Sequence, residues 1–339
     1  IYPELTPNVS STIIRKNRFQ IVRMGIIGTG RIAPRFVSEA KYVSGIEVES
    51  AYNPDKNNAS YFTKRTDIEV CTDDFEGFLN GVDAVYIASP NETHYDYAKK
   101  ALESGKHVLS EKPLAFTKAQ TKELYDLASR NKLVLLEGIK TAYCPGFQQM
   151  RNVAMSGRIG EIKDVEACFT RLADESSRER TDAEYGGSFL EFGGYTLLPV
   201  VKLLGMNYKD IRIDSIAGDN GIDLYTKIQI IYENAMATSK DGVGVKSEGQ
   251  LVISGTKGYI LAPSPWWLTK KFEVRYENAG KIETYEPTFQ GDGLRYEISD
   301  FVMKINGISK NGYKLTAEES IAMSGITEMF MEKRQKKNH

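Results

Sequence analysis

A chain of 339 residues with 44 Lys and Arg against 45 Asp and Glu can bury a large core as two domains, and its even charge excludes a nucleic-acid or anionic-membrane partner. Three widely spaced cysteines, Cys71, Cys144 and Cys168, exclude a disulfide framework or zinc site and favour a reducing, cytoplasmic setting. The three histidines show no metal-binding spacing, and no apolar run approaches the ~18 residues of a membrane span.

In chain order, residues 1–20 lack the apolar stretch of a secretory signal and read as an N-terminal arm or leader lying on the body or a neighbour. Residues 21–27 (IVRMGII) are a short buried strand that runs straight into Gly28–Ala33 (GTGRIA). Ile32, Ala33, Phe36, Val37, Ala40 and Val43 then keep helical spacing, with Pro34 in the first turn, where a missing N–H costs nothing. Strands follow at 46–52 and 83–89. Asn91 stands at the cap of a helix through Ser104 that ends at Gly105. After a strand at 107–110, Thr117 and Gln120 form a capping box for a helix to about Arg130, and 133–139 is a further strand. This alternation predicts an α/β domain over 21–142, built on a parallel, doubly wound sheet of the Rossmann kind. From 143 to 339 the character changes. Segments 162–172, 225–239, 249–262 and 271–280 read as antiparallel strands, with helices at 188–204, 294–307 and from about Thr316 to Lys333. They predict an α+β domain with an open, mainly antiparallel sheet.

The loop Gly28, Thr29, Gly30, Arg31, Ile32 places backbone N–H groups at a helix N-terminus, where a dinucleotide's pyrophosphate can approach. An acid at the end of the second strand would mark NAD by binding the ribose 2′-hydroxyl. The chain has Asn53 there, which bonds a hydroxyl without repelling a 2′-phosphate, and Arg31 and Lys56 are near in sequence. NAD and NADP both remain open, with the balance tipped to NADP. The strand ends at 89–94 and 110–113 face the same edge of the sheet. They supply Ser89, Pro90, Asn91 and His94, the last read more simply as a local hydrogen-bonding residue, and then Glu111 and Lys112. An acid and an amine ending a buried strand are either a satisfied ion pair or part of a site; the location favours the site. Lys140, directly after the strand 133–139, is a second amine suited to an oxygen-rich substrate, or else a solvated lysine. His107 reads as structural, and Trp266 and Trp267 read as sheet or interface packing ahead of a sugar platform.

The stretches GIIGTGRIA, SPNETHYDYAKKALESGKHVLSEKPLA and GGSFLEFGGYTLLPVVKLLG together resemble the glucose–fructose oxidoreductase/inositol dehydrogenase (Gfo/Idh/MocA) family, over nearly the whole chain from residue 21. The resemblance implies a Rossmann domain, a C-terminal domain on an open antiparallel sheet, and NAD(P)-dependent oxidation or reduction of sugars, cyclitols or related alcohols. It implies that Lys112 touches the nicotinamide ribose and the reacting oxygen, held by Glu111 and Pro113. The family's usual aspartate, with a histidine four residues on, is replaced here by Glu191 and Tyr195. Tyrosine there resembles the branch of glucose–fructose oxidoreductase and the dimeric dihydrodiol dehydrogenases, where it donates the proton; the alternative for Tyr195 is a plain packing tyrosine. A neighbouring Lys112 would draw the phenol down toward working pH. Glu191, one turn earlier on the same helix face, would accept a substrate hydroxyl or else is a helix-terminus charge with no ligand role. The arginine many relatives carry near Ala142 is missing, so substrate recognition does not carry over. The expected activity is hydride transfer between nicotinamide and a carbinol carbon of a sugar, cyclitol or dihydrodiol-like alcohol, with no metal. The alternative is a cofactor-binding sensor without turnover, against which the intact Lys112 speaks. The apolar and aromatic residues of YTKIQIIY (225–232) predict an exposed sheet face and a homodimer or homotetramer through it.

Overall fold

The computed structural model describes residues 19–308 and 312–337; the arm expected over 1–20 lies almost wholly outside them. Among the described residues the strands form two sheets. The first comprises β1 (Val22–Ile27), β2 (Ile46–Tyr52), β3 (Val70–Thr72), β4 (Ala84–Ile87), β5 (His107–Glu111) and β6 (Leu135–Gly138), all parallel, in the order β3-β2-β1-β4-β5-β6. Alternate residues serve opposite faces. Met24, Ile26 and Tyr86 pack with Phe36 and Val37, while Ile27, Val85, Ile87 and Val108 pack with Ala98, Leu102 and Leu124. A parallel sheet covered on both faces needs such unbroken apolar strands. Strand order reverses between β1 and β4, which opens a crevice at their carboxyl ends.

The helices of this half are α1 (Ala33–Ala40), α2 (Lys56–Thr63), α3 (Phe75–Asn80), α4 (His94–Glu103) and α5 (Lys118–Arg130). Thr117 caps α5 by accepting the Gln120 N–H at 3.1 Å. The helix expected to begin at Asn91 begins instead at His94, after a 3₁₀ turn over Asn91–Thr93. The cap is lost because the Thr93 hydroxyl is engaged by Ser89 Oγ and Pro90 O, each at 2.7 Å, and the Asn91 amide donates to Tyr185 O at 3.3 Å.

Next come α6 (Pro145–Met155), β7 (Ile162–Thr170), α7 (Arg178–Thr181) and α8 (Ser188–Leu204). The second sheet adds β8 (Asp210–Ala217), β9 (Asp223–Ile231), β10 (Met236–Gly242), β11 (Leu251–Gly255), β12 (Tyr259–Ala262), β13 (Phe272–Arg275) and β14 (Ile282–Tyr285). Its order is β14-β13-β12-β11-β7-β10-β9-β8, antiparallel except where β10 runs parallel to β7. The apolar outer face expected from YTKIQIIY is chiefly polar: Thr226, Ile228 and Ile230 point inward, and Lys227, Gln229 and Ile231 outward. Finally α9 (Leu294–Ile305) and α10 (Ala317–Lys337) return to the first sheet. Arg295 grips Glu39 of α1 at 2.7 and 3.0 Å, and Ser324 accepts from Thr121 of α5 at 2.7 Å. No helix among the described residues is long and apolar enough to cross a membrane.

Candidate active site

A cleft of about 1450 Å³ lies between the carboxyl ends of β1, β4, β5 and β6 and the segment from β7 to α8. Apart from Lys56, every residue named above for cofactor, catalysis or substrate contact lines it. Gly28 has φ +90°, and a Cβ there would stand 2.6 Å from the backbone of Ser89. A Cβ on Gly30 would meet nothing nearer than Ala88 O at 3.8 Å, so the space beside it is open. The α1 N-terminus has no side-chain cap, which leaves its N–H groups free for an anion. A tight turn, an open glycine and a bare helix start are what a dinucleotide pyrophosphate needs, and the loop fits one.

Asn53 at the end of β2 donates to Thr29 Oγ1 at 2.6 Å and accepts the Asp55 N–H at 2.8 Å. Asp55 in turn caps α2, so neither side chain offers a free carboxylate to a ribose. Of the two cations expected nearby, Lys56 turns away to Asp73 at 3.3 Å. Arg31 borders the cleft and is paired with Glu179 of α7.

The reacting end is built from β5 and α8. Lys112 Nζ donates to the Glu191 carbonyl oxygen at 2.7 Å and stands 3.6 Å from its carboxylate. The same ammonium lies over the Tyr195 ring, 5.6 Å from its centroid. Glu191, not Glu111, therefore holds the lysine. Glu111 instead accepts the Tyr86 hydroxyl at 2.5 Å. His94 is buried, its ring nitrogens 2.8 Å from Pro113 O and 2.9 Å from Ser89 O. A neutral imidazole donates from one ring nitrogen only, so His94 gives its single N–H to one of these carbonyls and ties the strand ends together while still lining the cleft. His107 is structural, accepting the Val134 N–H at 2.9 Å.

Tyr195 differs from expectation in its electrostatics. Burial pushes its pKa well up, and Glu111, Glu297 and Glu191 push the same way against Arg35. The phenol is held neutral rather than drawn toward phenolate by Lys112. Within α8, Pro199 lacks the N–H that would bond the Tyr195 carbonyl, which loosens the helix at that turn. Lys140 Nζ donates to Asp292 O at 3.0 Å, and burial, then Arg35, lowers its pKa. Thr141, Ala142 and Tyr143 beyond it are buried, so Ala142 lies in the core and leaves no place for the arginine of other family members.

The aromatic pair divides. Trp266 is fully buried and donates to Cys168 O at 2.8 Å. Trp267 lines the cleft, stacked on Phe169 at 3.6 Å, with Phe192 at 4.2 Å on that ring. The sequence reading missed Arg35, Phe169, Arg171, Glu179 and Asp292, all in the cleft wall. It also missed Glu137, which accepts the Leu114 N–H at 3.0 Å just after the lysine loop. An acid inside the apolar run LVLLEGI was its legible signal.

Residues 22–139 match the model of an oxidoreductase family with an NAD-binding Rossmann fold, and 147–261 match a GFO/IDH/MocA C-terminal domain. The chain belongs to the GFO/IDH/MocA oxidoreductase family. This family member is 26% identical over 318 residues to scyllo-inositol 2-dehydrogenase (NADP(+)) IolU of Bacillus subtilis (strain 168), covering 91% of this chain and 95% of that one. It is 26% identical over 286 residues to trans-1,2-dihydrobenzene-1,2-diol dehydrogenase of Xenopus laevis, covering 81% and 86%. Among solved structures, KijD10, a 3-ketoreductase from Actinomadura kijaniata in complex with NADP and TDP-benzene, shares the fold with a TM-score of 0.77 at 22% identity, over 90% of this chain and 95% of that one. The GFO/IDH/MocA chain is an NAD(P)-dependent oxidoreductase, and the sensor reading finds no support.

Proposed function

We propose that this oxidoreductase interconverts a ring ketone and its secondary alcohol on a polyhydroxylated substrate, a cyclitol, sugar or dihydrodiol, and prefers NADP. The observation that carries the reading is the meeting of the Lys112 ammonium with a neutral Tyr195 phenol in one cleft. Gly28, Thr29, Gly30 and Ile32 would hold the dinucleotide's phosphates, with Ser89, Pro90, Asn91 and Glu111 along its path to Lys112; bound, it supplies or takes up the hydride. Tyr195 keeps its proton at Oη until the substrate oxygen needs it, and Lys112 stabilises charge building on that oxygen. Glu191 and Lys140 bond neighbouring hydroxyls. Trp267 and Phe169 give an apolar ring face something flat to lie on.

Names in the family support the substrate class: one relative is an inositol dehydrogenase, another a dihydrobenzenediol dehydrogenase, and a third a 3-reductase of a dTDP-linked dideoxy sugar. The lean to NADP follows from Asn53 and the engaged Asp55, and the name of the inositol enzyme agrees with it. We take residues 21–142 as the cofactor unit and 143–339 as the substrate and assembly unit, pairing as a dimer, or a dimer of dimers, across the open sheet face. That interface would join polar rows such as Lys227 and Gln229 rather than an aromatic patch. Free Cys71, Cys144 and Cys168 support a reducing cytoplasm.

The test is a panel of cyclitols, aldoses and dihydrodiols with each cofactor, followed by nicotinamide absorbance. Turnover on a ring alcohol with NADP is expected. Lys112→Met and Tyr195→Phe should then each lower kcat roughly 10²–10⁴-fold, and the double variant should be little worse than either. With chemistry rate-limiting, a Tyr195→Phe enzyme that keeps more than about half its kcat removes the donor role.

A further inference from the structure

A buried acid at the start of α9 is not used by this chemistry. Glu297 occupies the first turn of α9, just past Asp292 and Leu294 of the cleft wall. It is fully buried, and neither carboxyl oxygen has a hydrogen-bond partner. An ionised carboxylate so placed is among the costliest groups a protein can bury, and such a group takes up a proton instead. Lys140 does not rescue it, because its ammonium donates to Asp292 O. Glu111 at the end of β5 differs: burial raises its carboxyl too, but Lys112 beside it and the Tyr86 hydroxyl it accepts pull the other way.

We infer that Glu297 is protonated at neutral pH and that, by staying uncharged, it is a positioning residue that keeps a second carboxylate charge away from the cleft floor that Glu111 and Tyr195 line. Charged and titratable groups on several elements act on Glu297 or feel its charge. Glu111 of β5 opposes its ionisation and Lys140, after β6, favours it. Its charge acts on Tyr86 of β4, on Tyr143 and Cys144 before α6, and on Tyr195 of α8. Arg35 of α1 acts on Tyr195 and Lys140, and Asp300 of α9 itself acts on Tyr143. Burial pushes the Glu297 carboxyl well above its ordinary range.

The consequence for the reaction is direct. Reducing a carbonyl builds negative charge on the substrate oxygen next to Tyr195. If Glu297 loses its proton to solvent, a second carboxylate charge opposes that charge and makes Tyr195 a weaker acid. Reduction should therefore fail on the alkaline side as Glu297 ionises. This kinetic half rests on the proposed ketone–alcohol chemistry; the protonation of Glu297 does not.

The two halves are tested separately. An infrared difference spectrum of wild type minus Glu297→Gln at neutral pH should show the carbonyl stretch of a protonated carboxylic acid, missing from the variant. No such band overturns the inference, whether or not a substrate is known. Glu297→Met serves the same comparison if the glutamine variant does not fold. With an active substrate, the ratio of kcat at about pH 9 to kcat at neutral pH should be at least about threefold higher in Glu297→Gln than in wild type, with KM tracking wild type. Superimposable pH profiles overturn the positioning role even where the band is present.

Discussion

A Cβ on Gly28 would lie 2.6 Å from both the Cα and the N of Ser89, at a φ of +90°, whereas one on Gly30 would find its nearest neighbour at 3.8 Å. The same sequence motif thus contains two kinds of glycine. Gly28 is required by the fold, since any side chain there strains the β1–α1 turn against β4. Gly30 is required by nothing in the protein, so its openness points to the ligand. Gly28→Ala should destabilise by on the order of 1–3 kcal/mol, the cost of a forced backbone conformation. Gly30→Ala should melt as wild type yet bind NADPH at least about tenfold more weakly, or 1.4 kcal/mol. Calorimetry and fluorescence titration of both variants separate the two roles. A Gly30→Ala protein with wild-type affinity would place the pyrophosphate elsewhere. The motif was legible because its glycines are adjacent in sequence. The Glu191 carbonyl that holds Lys112 was not, because a main-chain acceptor 79 residues away leaves no trace in side-chain identity.

Helix α8 was legible end to end: Gly187 before it, Gly205 after it and apolar spacing between set its limits at 188–204. What anchors it was not. Asp223, 34 residues on, accepts the Phe189 N–H at 2.8 Å and the Thr226 hydroxyl at 2.6 Å, which fixes the helix start ahead of Glu191 and Tyr195. Short elements such as α2, β3 and α3 went unread because a few residues carry too little periodicity, although Asp55 and Asp74 cap the two helices. The outward face of β9 was misread for a different reason: total apolar content was weighed above alternation, and the alternation Thr226, Ile228, Ile230 against Lys227, Gln229, Ile231 was there to see. Asp223 also carries a pH signature. Burial raises its pKa from 3.8 to about 6, against the pull of Arg334. A carboxyl whose folded pKa lies above its unfolded one contributes stability that is whole below about pH 4 and is lost as pH rises through about 6. Wild type should therefore lose on the order of 3 kcal/mol relative to Asp223→Asn across that window. Urea unfolding at intervals through it gives the comparison; stabilities that run parallel for the two proteins would show that Arg334 and the donors keep Asp223 ionised throughout.

The two halves of the molecule are joined by contacts of opposite character. Behind the cleft, α9 packs on α1 and α10 on α5 through buried residues, with the Arg295–Glu39 pair and the Thr121–Ser324 hydrogen bond among them. In front, the segment around α7 touches the cofactor half through Arg31 with Glu179, Arg178 with Glu92 at 2.6 Å, and Tyr185 stacked on Phe116 at 5.3 Å. Pairs whose arginine is exposed contribute roughly 0.2–1 kcal/mol each, so the front is the more weakly held side. The Arg31 side chain is 74% exposed, and its partner is a carboxylate in the cleft wall. A phosphate of the incoming cofactor would have to compete with Glu179 for that guanidinium. Removing the competitor with Glu179→Gln should tighten NADPH about two- to fivefold at low salt, the reach of one exposed pair. The gain should shrink near 1 M salt, where screening acts within about 3 Å. NADH, lacking the 2′-phosphate, should gain less if Arg31 faces that group. Fluorescence titrations of both cofactors at the two salt levels decide the matter: NADPH affinity unmoved at low salt would remove Arg31 from the phosphate site and leave the pair a plain interdomain tie.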